Sequence, residues 1–455
     1  MAYLNRTTEQ WQEIDSAHHL HPFTDYKSLA KEGSNIIVKA DGVYLTNTDN
    51  KQFLDAMSGL WCVNVGYGRK ILADVAYKQM QELPYYNSFF KTATAPSIEL
   101  AQQLAEISPG DLNHAFFSSS GSEANDTVVR MVRRYWDLKG QPNKKTFISR
   151  EYAYHGSTMT GMNLGGMTAM HEQGGMMPGF AHVMPPYWYK YGQEMSPEEF
   201  GIFTANKIEE KILELGPENI AAFIGEPIQG AGGVIIPPET YWPRVQEICS
   251  KYDILIVVDE VICGFGRTGN WFGSDTYGIN PDIITMAKGI SSGYIPLSGI
   301  MVGKSVSDVL IDEGGEFYHG YTYSGHPVAC AVAIENLKII REENLIENSK
   351  NTSVYLNKKM KEIADHPLVG EVRMKSYIGC VELVKDKEKG IMFEDTGTVG
   401  TICSDYCIEN GLIMRAVRDG MIFCPPLIFS KNHIDELVEK LKKSLDQTHN
   451  HINKN

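Results

Sequence analysis

Short apolar runs, each closing on a polar or glycine-rich turn, recur through the middle of the chain: HAFF (114–117), AAFIGEP (221–227), ILIVVDE (254–260) and DIITMAK (282–288). Runs that are apolar at successive rather than alternate positions predict strands buried on both faces. Helical stretches lie between them. From Glu123 to Gly140, the residues Val128, Met131, Val132 and Tyr135 recur at the spacing of one apolar helix face, and Gly140 suits a C-terminal cap. Strands alternating with helices predict a mainly parallel sheet covered on each side, with ligands bound beyond the strands' carboxyl ends. Toward the C-terminus the pattern changes. IDELVEKLKKSL (434–445) reads as helix and YIGCVELV (377–384) as strand, so a smaller α/β domain is expected from about residue 331. Thr448 to Asn455 reads as a short polar tail that frays.

At 455 residues the chain exceeds one ordinary domain. Its 43% apolar and 22% charged residues are those of a globular protein rather than a disordered one. The 56 acidic against 42 basic side chains give a formal charge of −14, which opposes binding to nucleic acid or an anionic membrane surface. The opening MAYLNRTTEQ has no basic stretch leading into an apolar one, and no run approaches the ~20 apolar residues of a membrane span. A cytoplasmic location is therefore expected. Eight scattered cysteines contain no Cys-x-x-Cys pair. Cys403 and Cys407 could share a helix face but have no nearby Cys or His to complete a zinc set, so reduced thiols and no metal are expected.

Three motifs carry chemistry. HAFFSSSGSEAND runs from a strand through Ser120, Gly121 and Ser122 into a helix, a turn that offers N–H groups and hydroxyls to an anion; Ser122 could equally be a simple helix cap. In ILIVVDEVICGFGRTG, Asp259 ends a buried strand, where a carboxylate needs a cation such as a protonated ring nitrogen or Arg267. Glu260 beside it has no evident partner. In DIITMAKGISSGYIPLSG, Lys288 ends another buried run; desolvation there lowers an amine's pKa and frees it to form an imine, although a lone lysine at a strand edge usually snorkels. GFGRTG (264–269) breaks the G-x-G-x-x-G spacing, which argues against a dinucleotide-binding module.

Together these motifs resemble the class III aminotransferases, pyridoxal-phosphate enzymes of fold type I. The likeness extends from HPFTDYKSL (21–29) through DAMSGLWCVNVGYG (55–68) and HGYTYSGHPVAC (319–330) to GLIMRAV (411–417). It implies a large cofactor-binding domain over 60–330 and a small α/β domain built from residues 1–59 and 331–455. Within the class the chain looks most like omega-transaminases that use pyruvate as acceptor, especially those with putrescine as donor.

The resemblance assigns Lys288 to the covalent link with the cofactor and Asp259 to its ring nitrogen. Ser120, Gly121 and Ser122 fall to the phosphate; Tyr154 and His155 match a cofactor-binding pair of which Tyr154 stacks on one face of the ring, with Val261 on the other. Thr322 matches a threonine that reaches the neighbouring subunit's cofactor phosphate, which implies a homodimer, or a tetramer of paired dimers, with shared active sites. Phe23, Trp61, Phe89 and Phe90 correspond to aromatic positions around the substrate pocket, and Tyr154 borders it as well. Arg415 matches a mobile arginine that binds the substrate carboxylate through a planar fork, with Arg418 as a rival. Glu226 is also a family position, pairing either with an arginine or within the site. The expected activity is transfer of an amino group from putrescine, cadaverine or another omega-amine to pyruvate. Beta-alanine, taurine or broad amine donors are the nearest alternative, and a same-fold aminomutase or racemase a more distant one.

Overall fold

The computed structural model describes residues 6–192 and 194–454; the first five residues of the N-terminal stretch and Asn455 of the polar tail lie outside them. A seven-stranded sheet runs in the order β4-β10-β9-β8-β7-β5-β6. Its strands are β4 (Leu112–Ser118), β5 (Thr146–Arg150), β6 (Phe180–Val183), β7 (Ile220–Gly225), β8 (Leu255–Asp259), β9 (Ile283–Met286) and β10 (Ser298–Gly303). All run parallel to one another except β10, which is antiparallel to both β9 and β4.

Period-two geometry explains the unbroken apolar runs. Ile148, Phe223, Ile256, Val258, Ile284 and Met301 project into one core. Their neighbours Phe147, Ala222, Ile224, Leu255, Val257, Ile283, Ile300 and Val302 project into the other. Each strand thus buries both faces, as the sequence pattern requires.

The second core is roofed by the helix Gly121–Leu138, which buries Val128, Met131, Val132 and Tyr135 as expected. The helix begins two residues earlier than its apolar periodicity suggests. Ser120, not Ser122, is its N-cap, accepting from Glu123 N at 3.3 Å. Lys139 is the C-cap and Gly140 follows it at φ +71°, a conformation that glycine adopts without strain. The C-terminal tail also differs from expectation. Residues through Ile452 continue the helix Lys431–Ile452, and Thr448 is buried within it, because Ile434, Leu437, Leu441 and Leu445 keep one face against the core.

Two smaller sheets flank the large one. A C-terminal antiparallel sheet has the order β11 (Val369–Lys375), β12 (Ile378–Leu383), β15 (Gly420–Phe423), β14 (Arg415–Val417). The other joins β1 (Ile37–Asp41), β2 (Tyr44–Asn47) and β3 (Gln52–Asp55) to β13 (Leu412–Ile413), with Leu412 beside Leu54 and Ile413 beside Asp55. Strands from the N- and C-terminal parts of the chain thus share one sheet. The helix Pro327–Glu342 runs unbroken through position 330 and packs on the helices Lys70–Glu82 and Ala95–Ile107.

Buried carboxylates fasten two turns that lead toward the strand ends. Asp55, fully buried, accepts from Met57 N at 2.8 Å, Gly59 N at 2.6 Å and the Tyr67 hydroxyl at 2.6 Å. These bonds hold a turn in which Ser58, Gly59 and Trp61 all have positive φ, a strained path that needs such anchoring. Glu260, which lacked an evident partner in the sequence, accepts from Gly273 N, Ser274 N and the Ser274 hydroxyl at 2.8, 2.6 and 2.7 Å. Arg267 does not meet Asp259; it donates to Asn64, Ser58 and the Pro425 carbonyl.

Asp55→Ala strands two amides and a hydroxyl, so we expect a loss of about 1–3 kcal/mol, read as a lower urea midpoint. An unchanged midpoint would contradict this anchoring role. Burial pushes the Glu260 carboxyl from 4.5 up to about 7. The folded state then binds more protons than the unfolded state across this interval, so the contribution falls as pH rises through it. The decline in urea midpoint from pH 4.5 to 7 should accordingly be shallower in Glu260→Gln than in the parent.

Candidate active site

Five parallel strands deliver their carboxyl ends to one place. β4 leads to Ser120–Ser122, β5 to Tyr154 and His155, β7 to Glu226, β8 ends in Asp259, and β9 leads to Lys288. All these residues, with Asn125, Gly156, Val261, Ile262 and Ala287, line a cavity of about 210 Å³. Topology alone accounts for this convergence of residues far apart in sequence.

Asp259 is 3% exposed, so its charge must be matched inside the protein. Its Oδ2 accepts from His155 Nδ1 at 2.8 Å and from Asn125 Nδ2 at 2.9 Å, and its Oδ1 from Val261 N at 3.1 Å. Burial pushes this carboxyl up, but the hydrogen bond and charge of His155, with the bonds from Asn125 and Val261, outweigh it and hold the group below its ordinary value. An ionised carboxylate therefore faces the cavity, with Oδ1 engaged by a single N–H.

Lys288 opens a short 3-10 turn at φ +48°, a strained conformation for a non-glycine residue. Among the described residues no side chain accepts a hydrogen bond from Nζ or pairs with it, and Nζ stands 5.1 Å from the centre of the Trp61 ring. Burial lowers its pKa, opposed by the charge of Asp259. An unpaired, desolvated amine near an ionised carboxylate is poised for carbonyl chemistry.

The remaining walls fit a planar ring with an anionic arm. A Cβ on Gly121 would stand 3.2 Å from Val261, so glycine keeps that approach open. The first turn of Gly121–Leu138 presents its amides, and Ser122 Oγ accepts from Ser157 N at 3.0 Å. Tyr154 and Val261 line the same cavity and could flank a planar ring. Glu226 is fastened inside the site and does not pair with Arg415: its carboxylate accepts from Gly230 N at 2.8 Å and Tyr154 N at 3.4 Å, while Arg150 binds its backbone carbonyl. Amine, ring-facing carboxylate, anion-holding amides and apolar faces together match what pyridoxal phosphate requires.

The aromatic positions divide. Trp61, 2% exposed, lies beneath both Lys288 and Arg415, whose Cζ is 5.3 Å from the ring centre. Arg418, the rival arginine, instead covers Tyr152 and reaches the Gly232 carbonyl. Phe23 approaches Tyr154 edge-on, with centroids 6.3 Å apart, and is otherwise exposed. Phe89 and Phe90 border a separate open depression of about 860 Å³. Thr322 is exposed on the adjoining loop, where Tyr85 binds its carbonyl at 2.7 Å and Ser88 that of Ser324 at 3.1 Å. In the single chain these three residues stand apart from the cavity around Lys288.

Asn125 was not anticipated. Stepping back three residues from Val128 along the buried helix face reaches it, and a polar side chain on that face is the signal that betrays it. His155 also gains a sharper position, with Nε2 buried and unpartnered while Nδ1 serves Asp259.

Comparisons with known proteins agree with this geometry. The family model described as "Aminotransferase class-III" matches residues 28–445. A putrescine–pyruvate aminotransferase of Pseudomonas aeruginosa is 57% identical over 446 residues, covering 98% of this chain and 97% of its own. Among solved structures, an (S)-enantioselective omega-transaminase from Thermomicrobium roseum superposes with a TM-score of 0.95 at 43% identity, covering 98% of this chain and 99% of its own. The omega-transaminase of Pseudomonas jessenii in complex with PMP gives 0.95 at 43% identity, covering 97% and 99%. The chain belongs to the class III aminotransferases, transaminases of fold type I that depend on pyridoxal phosphate.

Proposed function

We propose that this transaminase moves an amino group from a diamine such as putrescine or cadaverine to pyruvate, releasing an aminoaldehyde and alanine. The observation that carries the chemistry is the unpaired Lys288 amine at the cavity that Asp259 also lines. The near full-length identity to the Pseudomonas aeruginosa putrescine–pyruvate enzyme supports the substrate class.

Bound pyridoxal phosphate supplies a carbonyl that takes up the amino group and a ring that accepts the electron pair left by proton removal. Lys288 would be the attachment point, and its desolvated Nζ, when free, would be the base that takes the proton from the donor carbon. Asp259 holds a proton on the ring nitrogen, a task suited to a carboxylate kept ionised by His155 and Asn125. The backbone amides of Gly121 and Ser122 and the Ser120 and Ser122 hydroxyls would hold the phosphate, while Tyr154 and Val261 would flank the ring. Arg415 receives the carboxylate of pyruvate or alanine above Trp61. The rim of half-buried Phe89 with exposed Phe90 and Thr322 completes the site of a second copy, making the working unit a homodimer. Eight free thiols fit a cytoplasmic setting.

Lys288→Ala should bind the cofactor without the characteristic visible absorbance of the lysine-linked form and lose about 10²–10⁴-fold or more in each half-reaction; native turnover would overturn the assignment. Asp259→Asn should lower kcat by at least about tenfold, the effect of one pKa unit at the ring nitrogen. With pyruvate as acceptor, diamines should outpace beta-alanine, taurine and 1-phenylethylamine in kcat/KM. The reverse ranking would refute the diamine assignment and leave transamination standing, whereas failure to form alanine would point to an aminomutase or racemase.

A further inference from the structure

The N-terminal helix Thr8–His18 carries a constellation that the transaminase reading does not use. His19, its C-cap, donates its backbone N–H to the Asp15 carbonyl at 2.9 Å. Helical spacing sets Asp15 and His19 side by side, with His19 Nδ1 3.1 Å from Asp15 Oδ1. The chain then leaves the helix and folds His21 back, placing its Nε2 at 2.8 and 2.9 Å from the two oxygens of the same carboxylate. One ligand atom from each of the three residues lies within 4.8 Å of the others.

The surroundings are those of a ligand set. Ser34 Oγ donates to Asp15 Oδ2 at 2.7 Å, the outer hydrogen bond that commonly orients a metal-bound carboxylate. That bond, with the two imidazoles, outweighs burial and lowers the Asp15 carboxyl, which stays ionised. Among the described residues no Lys or Arg pairs with Asp15; the side chains at ion-pair distance are the two histidines. The Asp15 and His21 side chains are 14% and 24% exposed, whereas His19 is 62% exposed, so the cluster opens to solvent on one side. Two imidazole nitrogens and one carboxylate oxygen with an open position suit a borderline divalent metal; calcium and magnesium require more oxygens.

We propose that Asp15, His19 and His21 bind one divalent transition-metal ion, with water completing its coordination. The ion takes the place of the hydrogen bonds that now join the carboxylate to the two imidazoles. Because His21 lies two residues before Phe23, whose ring meets Tyr154, the ion would clip the segment that brings Phe23 to the mouth of the cofactor cavity.

The test is titration of tag-free, chelator-treated holoenzyme with cobalt(II) and zinc(II), following the visible d–d bands of cobalt and the heat of binding. One ion per chain, bound tighter than about 10 μM, is the expected result, with a metal-dependent rise in thermal midpoint. Asp15→Asn and His21→Ala should each abolish the cobalt bands while keeping the metal-free midpoint of the parent. Ser34→Ala should weaken affinity by about 10–100-fold, and His433→Ala, remote from the cluster, should bind normally. Absence of stoichiometric binding overturns the proposal, as does binding that persists in either Asp15→Asn or His21→Ala.

Discussion

The buried bond between Asp259 and His155 is the constraint around which the structure is organised. A carboxylate at the end of a central strand, with apolar cores on both faces of the sheet, stands far from water and would take up a proton if left alone. His155 and Asn125 keep it charged. Their own positions depend on elements far away in sequence: His155 follows β5, and Asn125 sits in the first turns of Gly121–Leu138. The two cores that grip the sheet from above and below are thus what brings the carboxylate, imidazole and amide together. Lys288 benefits from the same enclosure, since burial that threatens a carboxylate also keeps an amine from holding its proton too tightly.

Much of this was legible from residue order. Continuous apolar runs mark strands buried on both faces, and the polar residue ending each run marks the rim where chemistry gathers. That logic locates Asp259, Lys288 and the Ser120–Ser122 turn without any coordinates, and all three border one cavity. The likeness to a known family added Tyr154, His155, Glu226 and Val261, which the cavity also brings together.

Other features escaped for identifiable reasons. Ser120 caps the helix because the cap is chosen by backbone geometry, which apolar periodicity cannot locate to the residue. Glu260 and Asp259 are adjacent acids with different tasks, and only the turn following β8 reveals that Glu260 serves the amides of Gly273 and Ser274. The strands β5 and β6 hide because short runs carry little pattern, and β10 because its SGIMVG mixes glycines and a serine among the apolar residues. The tail beyond Thr448 looked loose because its outward face is polar, while Thr448 itself is buried. The carboxylate–imidazole cluster of Asp15, His19 and His21 arises where a helix ends and the chain reverses, a juxtaposition that linear spacing conceals.

The pairing of β13 with β3 sets a condition on how the protein is made. Leu54 and Leu412 are neighbours across a ladder, so the N-terminal sheet cannot close until nearly the whole chain has left the ribosome. Until then the edge of β3, with the strained turn that carries Trp61 just beyond it, waits without its final neighbour. Closure at such long sequence separation is slow and exposes an unpaired edge meanwhile. Assembly of the substrate pocket is therefore among the last events of maturation, and nascent or C-terminally clipped chains should be a natural clientele for chaperones.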